Sequence, residues 1–355
     1  MSRAAFICET PYQIFNALRV IEANGMKDRS DMFISDRFAD YEQITERINE
    51  TGLCRNAAVF RYELPRNDAF VKKNEKYIEL LAPVYYQNLF GLKDIRGNYD
   101  EAYMSTVTPF IFTFVLANRI KKVFYFEDGT GSYLDMLGYS TFSKVRKAVC
   151  SIRGINFFPL KYYVNSVGMV MKKLPTEYIQ IPVSHSEEFA SKLSYVFTGS
   201  MDYQKDMLIT QKKILCISMP DEAKAGSIAS QKATLDALEK YRKDTVVKLH
   251  PRETDTGEYD GYNIARRNTN WEMECLFTDM DDKVIIATFS TAQITPKLLY
   301  DKEPYLIFTY PLNGPVSNDI EMMITRLTEL YRQPEKVCVV THPDELKRVL
   351  EKAMS

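Results

Sequence analysis

The sequence predicts two Rossmann-like α/β domains facing a central cleft. Three observations carry this. Short runs of aliphatic and β-branched residues alternate with longer amphipathic or apolar stretches, the pattern of parallel strands joined by helices. One series of such units occupies residues 1–183, and a second, of similar size, begins at 212. The chain has 355 residues, too many for one compact core.

In the first series, strands are expected over residues 4–9, 31–36, 57–62 and 122–126, with a further segment at 99–105. Helices are expected from Pro11 to about 23, up to about 50, over 71–81 and over 109–119; Pro11 suits a first turn. In the second series, strands are expected over 213–218, 245–249, 283–289, 305–308 and 337–340. Helices are expected over 230–241, 268–276, from Ser290, over 319–331 and from Asp344. Residues 144–173 stand apart: seven lysines and arginines with no acid, interleaved with aromatic and aliphatic residues. Two readings fit: a membrane-surface or subunit contact, or a helical hairpin packed on its own domain with its lysines in water.

Composition excludes several classes. Apolar residues make up 45% of the chain and charged ones 26%, ordinary for a globular protein. A net charge of −1 gives a nucleic-acid partner no support. The first residues run straight into a strand with no signal peptide, and no apolar run is long enough to span a bilayer. The six cysteines form no Cys-x-x-Cys pair, so they read as reduced residues of a cytoplasmic protein without a zinc site.

Chemistry is expected where strands end, because ligands of open α/β sheets bind at the carboxyl edge. His250-Pro251 follows such a strand; proline cannot extend it, and imidazole can give or take a proton near neutral pH. The pair His342-Pro343 is the internal control, where Thr341 or Asp344 reads as a helix cap and Glu345 as a first-turn acid. Glu127-Asp128-Gly129 puts two carboxylates and a glycine at a strand end, candidates for a general base beside a ligand; the bland alternative is a capping turn. Gly129-Thr-Gly131 lacks the third glycine of a dinucleotide loop, since Leu134 stands there. Ser290-Thr291 opens a helix and reads as a phosphate site or a plain cap. Glu272, after Trp271, could accept both hydroxyls of a ribose; Asp221 is a second candidate base; Thr10, Tyr12 and Gln13 could contact a sugar. Asp279-Met-Asp281 precedes its strand and reads as a loop. No cluster looks like a metal site.

Taken together, Thr10-Pro-Tyr-Gln13, Glu127-Asp128-Gly129, His250-Pro251, Trp271-Glu272 and Ser290-Thr291 resemble, in order and spacing, the bacterial sialyltransferases, nearest to glycosyltransferase family 52, the lipooligosaccharide sialyltransferase type. The resemblance implies a GT-B fold, inverting transfer without a metal or other cofactor, a CMP-sialic acid donor and a galactose-ended glycan acceptor. It implies that His250 with Pro251 serves the phosphate, Ser290 and Thr291 bind it, and Glu272 holds the ribose. It leaves the base open between the acid–acid–Gly motif and Asp221. Tyr12 departs from the family's leucine. Two other readings remain: a hexosyltransferase using a nucleoside diphosphate sugar, and a non-catalytic nucleotide-sugar or glycan-binding protein. The basic segment adds a peripheral contact at the inner membrane face, or a homodimer contact, to the expected partners.

Overall fold

The computed structural model describes residues 2–63, 73, 80, 83–92, 99–133, 144–171, 174–183, 186–250, 252–266 and 270–355. Most of the helix expected over 71–81 lies outside them, as do Leu134, Lys172, Lys173 and Pro251. The chain forms two compact units, Met1–Met201 and Asp202–Ser355.

In the first unit the described elements run β1 (Arg3–Cys8), α1 (Pro11–Ala23), β2 (Ser30–Ser35), α2 (Tyr41–Thr51), β3 (Asn56–Phe60), α3 (Pro83–Leu89), β4 (Tyr99–Met104), α4 (Pro109–Asn118), β5 (Lys122–Phe126), α5 (Lys144–Arg153), β6 (Lys161–Val164), β7 (Glu177–Gln180) and α6 (Glu187–Thr198). The strands form one parallel sheet in the order β3-β2-β1-β4-β5-β6-β7. The central strands are buried on both faces, which explains their unbroken apolar runs. Phe6, Tyr103 and Phe124 stack across β1, β4 and β5, with ring centroids 4.3 and 4.6 Å apart.

Two departures from the sequence reading concern this unit. Residues 144–173 do not form a helical hairpin: α5 is followed by the strand β6, whose Tyr162-Tyr163-Val164 pairs with β5 and β7. The unit also continues past 183, because α6 packs on α2. Its attachments include Arg47, whose guanidinium donates to the carbonyl of Val196 at 3.3 Å.

The second unit comprises α7 (Met207–Gln211), β8 (Ile214–Ile217), α8 (Asp221–Lys224), α9 (Ile228–Leu238), β9 (Thr245–Lys248), β10 (Asn263–Ile264), α10 (Trp271–Phe277), β11 (Val284–Ala287), α11 (Thr291–Tyr300), β12 (Tyr305–Phe308), α12 (Asn318–Leu330), β13 (Val337–Val339) and α13 (Pro343–Met354). Its parallel sheet has the order β10-β9-β8-β11-β12-β13. The unit opens ahead of 212 because the Tyr203 hydroxyl and the Asp206 N–H both donate to Glu274, at 2.7 and 2.9 Å. Gln293 of α11 is fully buried and its amide donates to the carbonyls of Ile285 and Ile307, tying that helix to the sheet beneath.

Both sheets therefore carry the doubly-wound order 3-2-1-4-5-6, the first with one strand more. In each, the chain leaves the first strand one way and later returns to its other side, so a crevice opens at the carboxyl ends of the first and fourth strands. Those ends are β1 and β4 in the first unit, β8 and β11 in the second.

One buried charge fastens α1 to the far half of the first sheet. Arg19 is 1% exposed. Its guanidinium donates to Asn165 Oδ1 beyond β6 at 2.5 Å and to the Pro182 carbonyl beyond β7 at 2.9 Å. Arg19→Leu removes this donor from the buried Asn165 Oδ1, and should lower unfolding stability by on the order of 3 kcal/mol. A urea midpoint equal to wild type would show that the anchor is dispensable.

Candidate functional site

At the carboxyl edge of the first sheet, Thr10-Pro11-Tyr12-Gln13 is a helix-capping device. Thr10 Oγ1 accepts from the Gln13 N–H at 3.2 Å, Pro11 takes the first helical position, and Gln13 Oε1 accepts from the Glu9 N–H at 2.7 Å. The polar ends of Thr10, Tyr12 and Gln13 all engage the protein itself. The Tyr12 hydroxyl donates to Glu127 Oε1 at 2.7 Å, and the Gln13 amide donates to Asp128 Oδ2 at 2.9 Å. The bonds of Tyr12 and Gln13 set the carboxylates that follow β5.

Those two carboxylates differ sharply. Glu127 is fully buried. It receives the hydroxyls of Tyr12 and Tyr133 and, at 2.6 Å, the Asn165 N–H. Burial pushes its carboxyl up, against those donors. Both oxygens of Glu127 are thus occupied within the fold. Asp128 is half-buried. Only Oδ2 is held, by Gln13, and Oδ1 has no partner among the described residues. Burial raises its carboxyl, opposed by the Gln13 amide and the Arg37 charge. Gly129 then turns the chain at φ +71°, a left-handed conformation that favours glycine, and the Asp128 N–H donates to Ser132 Oγ at 2.7 Å.

Glu9 joins Asp128 at this edge, and sequence reasoning missed it as anything but the end of a strand. It lies at the carboxyl end of β1, is 4% exposed, and accepts from the Thr108 hydroxyl at 2.6 Å. Burial lifts its carboxyl to about 7; the Thr108 hydroxyl and the Arg37 charge pull the other way, and Asp128 adds a smaller push. The signal available was an acid directly before the capping box, at the end of the strand that faces the sheet's switch point.

In the second unit, β9 ends at Lys248 and the chain turns through His250. The turn is held from below. The His250 N–H donates to Ser218 Oγ at 2.8 Å, and the Ser218 hydroxyl donates to the fully buried Glu253. Lys224 meets Glu253 at 2.8 Å. His250 Nδ1 accepts from the Arg252 N–H at 3.1 Å. A neutral ring so held carries its proton on Nε2, for which no described residue is a partner. Burial, then the Arg252 charge, lowers its pKa below 6.5. The unliganded protein thus presents a neutral N–H donor near pH 7.

Asp221, the second candidate base, is held by donors of its own unit. Its Oδ2 accepts the N–H and hydroxyl of Thr254 at 2.9 and 2.7 Å, and Lys224 lies 3.2 Å from Oδ1. These donors hold its carboxyl far below the usual range. His342 serves as the N-cap residue of α13 with Pro343 at the first turn. No side chain caps the helix there; Glu345 reaches back to accept from the Thr341 N–H at 2.9 Å.

Glu272 and Ser290-Thr291 lie on two helices that pack on one another. The Trp271 indole donates to the Ala292 carbonyl at 2.7 Å, and the Tyr300 hydroxyl to the Glu272 carbonyl at 2.9 Å, so the amino end of α10 rests on α11. Ser290 Oγ caps α11 by accepting from the Ala292 N–H at 3.2 Å, so the bland reading holds for its lone pair. Beside them lies a residue the sequence reading passed over as one lysine in a strand. Lys248 is 9% exposed, and its ammonium has no hydrogen-bond partner among the described residues. Burial lowers its pKa; the acids it feels are Glu272, Glu274 and Asp206, and burial in turn raises Glu272. Glu274 and Asp206 are already engaged by Tyr203 and by the Leu208 N–H. An anion lodged beside Lys248 would meet an unspent ammonium.

A pH test follows from Glu9. Its pKa is raised in the fold, so it favours folding fully below its ordinary value of 4.5 and loses that contribution as pH climbs through about 7. Relative to wild type, Glu9→Gln should gain on the order of 2 kcal/mol of stability across that window. Parallel pH dependence of denaturant midpoints in the two proteins would refute the shift.

No family model matches the sequence, and neither does any curated protein. Solved structures match it by shape. The spinosyn rhamnosyltransferase SpnG complexed with thymidine diphosphate is 10% identical, with a TM-score of 0.51 over 100% of this chain and 92% of that one. The glycotransferase of kitacinnamycin is 12% identical, TM-score 0.54, over 100% and 92%. The UDP-GlcNAc 2-epimerase from Neisseria meningitidis bound to UDP-GlcNAc is 11% identical, TM-score 0.53, over 99% and 91%. Identities this low speak for the fold alone, and the fold is two parallel-sheet Rossmann-like domains of the GT-B kind.

Proposed function

We propose that the protein is an inverting glycosyltransferase that binds the phosphate of a nucleotide-activated sugar in its C-terminal unit. The observation that carries this is Lys248, a buried ammonium that feels Glu272 and has no hydrogen-bond partner among the described residues. A buried charge without a partner is costly, and an anionic ligand offsets that cost. The ordered motifs Thr10-Pro-Tyr-Gln13, Glu127-Asp128-Gly129, His250-Pro251, Trp271-Glu272 and Ser290-Thr291 support CMP-sialic acid as donor and a galactose-ended glycan as acceptor.

In this reading the acceptor hydroxyl oxygen bonds to the anomeric carbon as the bond from that carbon to the phosphate oxygen breaks. The resemblance gives the hydroxyl proton to the acid–acid–Gly motif, and within that motif Asp128, whose carboxyl burial raises, suits a base better than an ordinary aspartate. The electron pair leaves with the nucleoside monophosphate, which accepts from His250 Nε2–H, the Lys248 ammonium and donors at Ser290 and Thr291. Glu272 holds the ribose. These groups supply the charge stabilisation, so the step needs no metal. Pro251, outside the described residues, retains only the part the resemblance gives it.

A second reading rests on the bound ligands of two matched structures, thymidine diphosphate and UDP-GlcNAc: a hexosyl donor carried on a nucleoside diphosphate. Thermal shift with CMP, UDP and TDP separates the two. CMP should stabilise wild type, and Lys248→Met should lose most of that shift. A larger shift with UDP or TDP would replace the sialyl donor. Nucleotide affinity should also weaken as pH rises, from below the range where an ordinary lysine titrates, because the ammonium form binds the anion. With CMP-sialic acid and lactose, His250→Ala and Asp128→Asn should each lose roughly 100-fold or more in turnover while remaining folded. Glu127→Gln should instead lower stability. Binding without consumption of any nucleotide sugar would leave a non-catalytic binding protein.

A further inference from the structure

The helix α5 carries a feature that sugar transfer does not use. Its sequence, Lys-Val-Arg-Lys-Ala-Val-Cys-Ser-Ile-Arg, has four cations and no acid. The inward side is accounted for: Cys150 is buried, the Arg146 guanidinium lies 5.0 Å from the centre of the Phe112 ring, and Arg153 donates to the Leu80 carbonyl at 3.0 Å. The outward side is not polar. Val145, Ala148 and Ile152 sit at i, i+3 and i+7 and form one stripe, with Val145 59% and Ile152 85% exposed. Lys144 and Lys147, both exposed, border that stripe. Leu160, 54% exposed, follows in the loop leading to β6.

Single exposed apolar side chains need no explanation. A stripe of them at helical spacing, bordered by lysines in a segment of seven cations and no acid, is the pattern of a helix lying in a lipid interface. We infer that α5 docks the protein on an anionic bilayer, Val145 and Ile152 entering the headgroup boundary while Lys144 and Lys147 meet lipid phosphates. Charge decides against a second copy of the chain as occupant. A two-fold contact would set this basic helix against its own copy. Anionic lipid supplies the opposite charge along the whole face. This inference does not rest on the transfer reaction.

Cosedimentation of the full chain with vesicles tests it, using phosphatidylcholine alone and phosphatidylcholine mixed with phosphatidylglycerol. Binding is expected only to the mixed vesicles and should weaken as salt rises. Ile152→Glu and the double variant Lys144→Glu, Lys147→Glu should each cut the vesicle partition coefficient at least about tenfold, with unchanged circular dichroism, since all three positions are exposed. Equal binding to neutral vesicles, no binding to either kind, or no loss in the variants overturns the proposal. So does a dimer in gel filtration that Ile152→Glu dissociates, which would give the face to a second copy.

Discussion

The first unit is built around the carboxylate of Glu127. Three donors reach it from three elements: Tyr12 from α1, Tyr133 from the turn after β5, and the Asn165 N–H beyond β6. Arg19 stands one residue further off, sharing Asn165 and Asn16 with the same network. A buried carboxylate and a buried guanidinium are thus joined through neutral amides without touching. Each is tolerable because its hydrogen bonds are met within the fold. The result fixes α1 over the sheet, and with it the next residue, Asp128, which Gln13 of the same helix holds. A structural acid beside a half-exposed one is how a single motif can serve both packing and chemistry.

This division explains what the sequence could and could not reveal. Strand and helix periodicity showed the doubly-wound pattern, because parallel strands buried on both faces read as plain apolar runs. It did not show β6, whose tyrosines stand in a basic segment that reads equally well as a helix. The site motifs were visible as residue types at strand ends. Their polarity of use was not, because whether Gln13 faces a sugar or a carboxylate depends on a neighbour 115 positions away. Glu127 and Asp128 are adjacent in the chain, and only burial separates them. Lys248 was invisible for the opposite reason: an isolated lysine in a strand is ordinary until one sees that it is buried and that no described side chain takes up its charge.

Burial pushes acids and bases of both units toward their neutral forms. In the first, Glu9 and Asp128 are pushed toward holding protons. In the second, Lys248 and His250 are pushed toward releasing them. Burial is the main cause in all four. Groups shifted this way are under strain of solvation that a ligand of the right charge relieves, which is why such shifts gather at functional positions. An anion raises the basicity of the lysine and the imidazole at once.

That reasoning bears on what His250 can do. With Nδ1 accepting the Arg252 N–H, the ring is held in the tautomer that offers Nε2–H outward, whatever the solution pH near neutrality. Arg252 itself faces Glu222 in an exposed pair, so its guanidinium is not the first group an incoming phosphate must displace. A phosphate at Nε2 would counter both burial and the Arg252 charge. With Nδ1 taken up by the Arg252 N–H, the part that the proposed reaction leaves to this ring is a fixed hydrogen-bond donor toward the departing oxygen, with the proton staying on Nε2.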